Sequence, residues 1–252
     1  MSITVIRGND GFGSQVLSIL SGIAYAKTNN LEYQHTGISG IKLVGFPVNS
    51  NEKMLSDCNN MLSHIMKNLN IKTVSGSCKV FPFFHNEILQ GGVDNYYNDS
   101  YLLQMSESYV GVKPKIYNKN KFNIAIHIRR GDDILDADMS CRWIDNIIYE
   151  NLIDRLLRVY PDGVIHIFSW NDPNLNINND RVIYHITDDG MGFLDDFNSL
   201  VQSDLLVVGS STFSISAGIL NKNIVMCHDS LCKLVTPLPL RWMENYNKII
   251  KL

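Results

Sequence analysis

The sequence predicts an α/β protein with two domains. Short β-branched or apolar runs alternate with longer segments whose apolar residues recur at the 3.6-residue period of a helix. A polar stretch at residues 111–121, with a glycine, a proline and four lysines, is typical of an inter-domain linker. The length of 252 residues suffices for two modest domains. We therefore place the first domain at residues 1–115 and the second at residues 116–252.

The chain begins with a predicted strand at Ile3–Ile6, a run of β-branched residues. A turn with Gly11 and Gly13 follows, and then a helix that continues to about Asn29. A glycine-rich turn between a strand and a helix suits a phosphate group, because the N–H groups at a helix start favour anions. A tight turn also needs glycine when no ligand is present, so the spacing alone leaves both interpretations open.

The rest of the first half has predicted elements but no functional motif. Strands are expected at residues 31–35 and 41–46, and helices at residues 52–69 and 96–110. The methionine-rich stripe of residues 52–69 indicates core packing rather than a cofactor site. The aromatic segment at residues 80–85 either lines an acceptor cleft or belongs to the core, and we favour the core.

The second half continues the alternation of strands and helices. The predicted strands are residues 123–128, 164–168, 181–186, 205–208 and 224–226. The predicted helices are residues 143–159, 215–220 and a short helix that ends at Ser203 and Asp204, with residues 193–200 preceding it. Pro161-Asp162-Gly163 ends the first of these helices.

Two adjacent arginines, Arg129 and Arg130, follow the strand at residues 123–128. In open α/β sheets the ligand crevice lies beyond the carboxyl ends of the strands, and guanidinium groups bind phosphate oxygens bidentately. Because adjacent strand residues point to opposite faces, one arginine should face a ligand while the other holds the following acidic loop. The alternative is that both only pair with carboxylates, as structural ion pairs commonly do. The carboxylates of that loop are Asp132, Asp133, Asp136 and Asp138.

A second candidate anion site follows the strand at residues 205–208. Four of the five residues after Gly209 carry a hydroxyl group: Ser210, Ser211, Thr212 and Ser214. Capping the next helix requires one of them. The excess indicates a further role, since hydroxyl and N–H groups at a helix start bind anions.

The string His127-Ile128-Arg129-Arg130-Gly131-Asp132 resembles the His-x-Arg-Arg-x-Asp signature of the α1,2- and α1,6-fucosyltransferase superfamily. The glycine turn near the N-terminus and the hydroxyl-rich turn at residues 210–214 follow the order of motifs in that superfamily. Asp196 and Asp204 reproduce its spacing of eight residues between two acids. The resemblance covers most of residues 120–226 and about 25 residues at the N-terminus.

The resemblance implies a GT-B fold, in which two Rossmann-like domains face a cleft, with the nucleotide-sugar donor held by the second domain. It implies inverting transfer of L-fucose from GDP-fucose to a hydroxyl of a glycan acceptor, without a metal or other cofactor. Arg129 would neutralise the β-phosphate as the glycosidic bond breaks. Asp196 would accept hydrogen bonds from guanine, and His127 would also touch the base.

The implied site residues fall into two sets. Arg129 and Asp132 are the catalytic candidates. The other acids of the loop are equal candidates for a general base. A charge-stabilised reaction path without a strong base is also open. The donor-binding residues are Gly11, Gly13, Gln15, His127, Arg129, Arg130, Asp172, Asp196, Ser210, Ser211, Thr212, Phe213 and Ser214.

The chain departs from the superfamily at two turns. Ser14 stands where an asparagine is usual, and Asn171 replaces the first acid of a turn whose second acid is matched by Asp172. Two other functions therefore stay open: a GT-B transferase that uses another nucleotide sugar, and a non-catalytic nucleotide- or glycan-binding module. The alternative role for Asp196 is to cap a helix, which Asp195 could equally do.

Composition and charge argue against several other classes. A net charge of −3 does not indicate a nucleic-acid partner, and no uninterrupted apolar stretch is long enough to span a bilayer. The N-terminus lacks the features of a signal peptide, and the five scattered cysteines suit reduced thiols. We therefore expect a cytoplasmic protein, or one at the cytoplasmic face of a membrane where glycans are assembled.

Two clusters invite comparison with metal sites, and neither is favoured. The segment Cys227–Cys232 has the spacing of no common zinc module. The tripeptide Asp136-Ala137-Asp138 stands alone in an acid-rich stretch.

Overall fold

The computed structural model describes residues 2–5, 11–41, 51–72, 79–80, 99–111, 113–130, 143–187 and 192–227. The chain divides into two compact units, and within the described residues the first ends at Val110 and the second begins at Gly111. In the described part of the chain, no helix combines the length and the apolar character needed to cross a bilayer.

The first unit contains a small parallel sheet with the order β2-β1-β3. Its strands are β1 (Ser2–Thr4), β2 (Glu32–Tyr33) and β3 (Lys79–Val80). Its described helices are α1 (Phe12–Thr28), α2 (Glu52–Asn68) and α3 (Asp99–Ser108).

Helices α1 and α2 begin where the sequence predicts. Helix α1 starts directly after the glycine of the turn, and the carbonyl of Gly11 accepts a hydrogen bond from the N–H of Gln15 at 3.1 Å. Helix α2 is capped by Asn51, whose side chain accepts from the N–H of Met54 at 3.1 Å. Met54 and Met66 are buried, so the methionine-rich stripe belongs to the core.

The second unit contains a five-stranded sheet in which all strands are parallel. Its strands are β4 (Asn123–Ile128), β5 (Val164–Ser169), β6 (Val182–Ile186), β7 (Leu205–Val208) and β8 (Ile224–Cys227). Its described helices are α4 (Asn146–Val159), α5 (Phe193–Gln202) and α6 (Thr212–Leu220).

The spatial order of this sheet is β6-β5-β4-β7-β8. Counted along the chain, that is the 3-2-1-4-5 order of a Rossmann-like sheet, which reverses direction between β4 and β7. Ile126, Leu205 and Val207 are completely buried, which is typical of parallel strands that are covered on both faces. The α/β class is therefore confirmed.

The beginnings of β4 and β7 are joined by hydrogen bonds between Asn123 and Asp204. Asp204 Oδ2 accepts from the backbone N–H of Asn123 at 2.8 Å and from its Nδ2 at 3.2 Å. The backbone N–H of Asp204 donates to the carbonyl of Asn123 at 3.0 Å. Because Asn123 is completely buried and its amide is bonded, the pair fixes the register of the two strands that lead to the site.

Three predicted helix boundaries were wrong. Helix α4 begins three residues late, because Asp145 caps it by accepting from the N–H of Ile147 at 3.2 Å. Helix α6 begins three residues early, where Ser211 accepts from the N–H of Phe213 at 3.3 Å. Residues 193–200 form helix α5 itself rather than a segment before it. Most of the predicted strand at 41–46 and of the aromatic segment at 80–85 lies outside the described residues.

Candidate functional site

Two of the predicted motifs meet at the carboxyl ends of β4 and β7 in the second unit. We call His127–Arg130 the arginine segment and Gly209–Ser214 the hydroxyl turn. The strands that precede them are direct neighbours, with Ile126 opposite Val207. The two motifs therefore lie side by side where the strand order reverses, which is the position at which open α/β sheets bind ligands.

Gly209 allows the two motifs to approach closely. A Cβ atom at this position would lie 2.7 Å from the carbonyl oxygen of His127 and 3.5 Å from the hydroxyl of Tyr149. A contact of 2.7 Å is too short for any side chain, so a larger residue would push the strand ends apart. Glycine is thus required to bring the start of the hydroxyl turn against the backbone of His127.

The hydroxyl groups of the turn have different surroundings. Ser211 caps α6, and the buried Ser214 accepts from the N–H of Gly209 at 3.1 Å and donates to the carbonyl of Ser211 at 3.2 Å. Ser210 is also buried, but its Oγ has no hydrogen-bond partner among the described residues. A buried hydroxyl without a partner is costly, so Ser210 marks a position where a bound group would complete the bonding.

His127 is half-buried and its Nδ1 is buried, without a hydrogen-bond partner among the described residues. Its ring lies 5.4 Å from the ring of Phe213 in the hydroxyl turn. Burial, followed by the charge of Arg129, lowers the pKa of His127 to about 3. The imidazole is therefore neutral near pH 7, and it offers a ligand one donor and one acceptor but no charge.

The two arginines of the segment have different environments. Arg130 is buried, and its guanidinium donates to the carbonyls of Arg129 at 2.7 Å and Ile144 at 3.0 Å, and to Oδ1 of Asn146 at 2.6 Å. The guanidinium also stacks 3.9 Å from the ring centre of Trp143. Arg129 is half-buried. Arg130 thus joins the end of β4 to the start of α4, and Arg129 is the arginine with an exposed part.

Asp196 is a partly exposed residue in the first turn of α5, and its Oδ2 accepts a hydrogen bond from Oγ1 of Thr187 at 2.7 Å. Gly192 occupies the N-cap position of this helix, so the alternative that Asp196 is the cap is wrong. Burial raises the pKa of Asp196 to about 6. The hydrogen bond from Thr187 lowers the same pKa, and the charge of Asp195 raises it.

Aromatic contacts connect Asp196 with the two motifs. Phe197, the residue after Asp196, meets the ring of Phe213 edge-on at 5.4 Å. Phe213 in turn contacts His127. The structure therefore brings together the arginine segment, the hydroxyl turn and the helix turn that carries Asp196.

The remaining predicted residues belong to the first unit, to the turn after β5, or to segments outside the described residues. Gln15 in the first unit is buried and donates from Nε2 to the carbonyl of Gly40 at 2.7 Å, and Gly11 precedes the same helix. Asp172 is exposed in the turn after β5, where its Oδ1 accepts from the N–H of Asn174 at 2.8 Å. Asp132 and the other loop acids lie outside the described residues.

Two residues of the site were not predicted from the sequence. Thr187 follows β6 directly, and a polar residue at the carboxyl end of a strand was the available signal. Asn146 accepts from Arg130 and donates to the carbonyl of Pro173 at 2.7 Å, but nothing in its sequence context distinguishes it. Within the described residues, no group of three or more His, Cys, Asp or Glu side chains could hold a metal ion.

Comparison with known proteins gives one family match. The profile of the family described as Glycosyl transferase family 11 matches residues 43–227, which include the arginine segment and the hydroxyl turn. No curated protein sequence matches the chain.

Several solved structures are similar to the chain. One is the NodZ alpha-1,6-fucosyltransferase soaked with GDP-fucose, at 12% identity and a TM-score of 0.42, with 90% of this chain and 94% of that chain covered. POFUT1 in complex with GDP matches at 12% identity and a TM-score of 0.44, with 88% of this chain and 96% of that chain covered. A mutant of Arabidopsis thaliana FUT1 in complex with GDP matches at 12% identity and a TM-score of 0.46, with 90% of this chain and 70% of that chain covered.

Proposed function

The chain belongs to glycosyl transferase family 11, and we propose that this glycosyltransferase moves L-fucose from GDP-fucose to a hydroxyl group of a glycan, as α1,2-fucosyltransferases do. The main support is that the arginine segment, the hydroxyl turn and Asp196 are brought together at one edge of the sheet. We further propose the GT-B arrangement, with domains at residues 1–115 and 116–252 that face a cleft. The donor would bind mainly to the second domain.

In this proposal the diphosphate of the donor binds between Arg129 and the start of α6. Arg129 supplies a charged planar group at the end of β4, and the hydroxyl turn supplies hydroxyl groups and the N–H groups of a helix start. Ser210 is the hydroxyl best placed to bind, because its oxygen is buried and has no partner among the described residues. Negative charge grows on the β-phosphate as the sugar leaves, so these groups stabilise the transition state more than the ground state.

Because that charge would be met by an arginine and a helix start, the proposed reaction needs no metal ion. In a single displacement, the acceptor oxygen bonds to the anomeric carbon while GDP leaves from the opposite face, and the configuration inverts. The proton of the acceptor hydroxyl passes to a base or to solvent. Asp132 is our candidate base, and we propose Gly11, Gly13, Gln15, Arg130 and Asp172 as further donor-binding residues.

The base of the donor would be recognised by Asp196 and His127. Guanine presents a ring N–H and an exocyclic amine as adjacent donors, and one carboxylate can accept both in parallel. Asp196 is largely ionised at pH 7, since its pKa is about 6. Uracil lacks this pair of donors, and adenine presents an acceptor where guanine has its ring N–H.

Calorimetric titration of GDP, UDP and ADP tests the assignment. GDP should bind about five- to 100-fold more tightly than the other two, since a carboxylate left without its partners costs roughly 1–3 kcal/mol. Asp196→Ala should remove most of that preference but keep binding of the diphosphate. Asp195→Ala is the matched control, because Asp195 is the exposed neighbour on the same turn, and it should keep the preference.

Two results would contradict the proposal. The first is that the unmodified protein binds UDP as tightly as GDP. The second is that GDP-fucose incubated with the protein and without acceptor releases no GDP, because a transferase usually passes some of its sugar to water. The second result would leave a binding module as the function.

A further inference from the structure

We propose that Thr187 is a positioning residue for base recognition: its hydroxyl holds the carboxylate of Asp196 in the orientation that accepts both donors of guanine. The inference rests on the proposed function, in which Asp196 meets the base. It adds that the choice of guanine over other bases depends on a residue outside the fucosyltransferase motifs, at the end of β6.

The first argument is geometric. Two parallel hydrogen bonds from guanine require both carboxylate oxygens to lie in the plane of the base, so the carboxylate must not rotate. The bond of 2.7 Å from Thr187 Oγ1 to Oδ2 of Asp196 restrains that rotation. Each carboxylate oxygen can accept two hydrogen bonds. Oδ2 can therefore accept from Thr187 and from one donor of guanine, and Oδ1 can accept from the other donor.

The second argument is that Thr187 is itself held in place. Its backbone N–H donates to the carbonyl of Ser169 at 3.1 Å, which joins the end of β6 to the end of β5. Its methyl group faces the start of α5, because a Cβ atom added at Gly192 would lie 3.4 Å from Thr187 Cγ2. A β-branched side chain has few χ1 rotamers, so the hydroxyl has a defined position relative to the sheet and the helix.

The third argument concerns the charge of the carboxylate. Asp196 accepts from guanine only when it is ionised, because a protonated carboxyl would oppose an O–H group to the ring N–H of the base. Burial and Asp195 favour the protonated form, and the hydrogen bond from Thr187 favours the ionised form. Tyr117 also senses the charge of Asp196, since its pKa is raised by burial and then by the charges of Asp204 and Asp196. Tyr117 is therefore neutral, and its hydroxyl donates to the carbonyl of Ser199 at 2.7 Å, so it does not take the place of Thr187.

The test is calorimetric titration of GDP and UDP from pH 5.5 to 8 with the unmodified protein, Thr187→Val and Thr187→Ser. The ratio of the two affinities is the measured quantity, because protonation of the diphosphate affects both nucleotides alike. For the unmodified protein the ratio should fall as pH decreases through about 6, where Asp196 becomes protonated. Valine has nearly the shape of threonine but no hydroxyl, so Thr187→Val should lower the ratio about tenfold at pH 7.

The same variant should also move the midpoint of the pH dependence to a higher pH, because the bond that favours the ionised carboxylate is gone. Thr187→Ser keeps the hydroxyl and should restore most of the ratio and of the midpoint. A merely structural role for Thr187 would weaken GDP and UDP equally and leave the midpoint where it was.

Each outcome separates the inference from the proposed function. If Asp196→Ala removes the preference for GDP while Thr187→Val keeps both the ratio and the midpoint, the inference is wrong and the proposed function stands. If Asp196→Ala keeps the preference, the assignment of the base is wrong and the inference falls with it. If Thr187→Val does not fold, Thr187→Ala and Thr187→Ser replace it in the test. An unaltered ratio of GDP to UDP affinity in both variants would contradict the inference.

Discussion

Arg130 connects three elements around the candidate site. Its guanidinium donates to two carbonyls and to Asn146, and it stacks on Trp143. Asn146 passes the connection on to the carbonyl of Pro173 in the turn after β5. One buried cation thereby joins the end of β4, the start of α4 and the turn that follows β5, and so supports the edge of the sheet where the donor is proposed to bind.

The two arginines are expected to respond differently to the same substitution. Arg130→Lys replaces a planar fork with a point charge, and it should lower the free energy of unfolding by about 1–3 kcal/mol because buried acceptors lose their partner. Arg129→Lys should lower stability less and reduce turnover strongly, since the proposed bidentate contact with the phosphate would be lost. Urea denaturation and a GDP-release assay on both variants measure the two effects. Equal losses of stability in the two variants would contradict this division of roles.

The hydroxyl turn also contains similar residues with different contacts. The sequence showed more hydroxyl groups than a helix cap requires, but not which of them were available to a ligand. In the structure Ser211 and Ser214 are bonded within the turn, whereas Ser210 Oγ has no partner among the described residues. The turn begins where Gly209 lies against the backbone of His127, and such a contact between distant segments is not visible in a local pattern.

Ser214 should be essential to the turn, and Ser216 should not. Ser214→Ala leaves the buried N–H of Gly209 without its acceptor, which we expect to cost roughly 1–3 kcal/mol of stability and to weaken GDP binding. Ser216 lies on the same helix, is equally buried, and donates to the carbonyl of Thr212 at 2.8 Å inside the helix. Ser216→Ala should be nearly neutral, since alanine is the better helix former. Chemical denaturation and GDP titration compare the pair, and similar losses in both would show that the turn does not depend on Ser214.

At the scale of the whole molecule, the strands were the most predictable part. Each strand of the second unit overlaps a predicted run rich in apolar or β-branched residues, because a parallel sheet buries most of its side chains. Helix starts were less predictable. Asp145 and Ser211 each fix a helix start by one capping hydrogen bond, and the periodicity of apolar residues gives no information about such a bond. The contact of Thr187 with Asp196 could not be predicted, because it joins a strand end to a helix that the chain reaches only after a turn.

Four histidines make the stability of the protein depend on pH. Burial is the main cause that lowers the pKa of His35 and His166 to about 4, that of His127 to about 3, and that of His185 below its usual value. Nδ1 of His166 and Nε2 of His185 lie 3.0 Å apart, and the neighbouring His185 lowers the pKa of His166 further. These imidazoles stay neutral in the folded state at a pH where the unfolded chain binds protons.

The free energy of unfolding should therefore fall as pH decreases below about 6.5, where free histidine takes up a proton. The slope per histidine approaches roughly 1.4 kcal/mol for each pH unit. Asp196 has the opposite effect on stability between the pKa of a free aspartate and its folded pKa of about 6. In that range the folded state binds the proton more readily than the unfolded chain, so Asp196 offsets part of the slope.

Denaturation curves at pH 7.5, 6.5 and 5.5 measure the slope. His166→Gln should reduce it, whereas His64→Gln, at an exposed position of α2, is the control and should leave it as it is. A free energy of unfolding that is constant over this range would contradict the assignment of neutral buried imidazoles.

The hydrogen bonds between Asn123 and Asp204 also bear on how the protein is made. The central strand of the second sheet can pair with β5 soon after synthesis, but its other edge must wait for a partner 81 residues further along the chain. Closing the longer loop adds only about 0.6 kcal/mol for each doubling of its length, so the delay is a matter of rate rather than of stability. Until that partner leaves the ribosome, one edge of β4 is unpaired and the arginine segment has no hydroxyl turn beside it. The proposed nucleotide site would then be completed only after β7 has docked, late in folding.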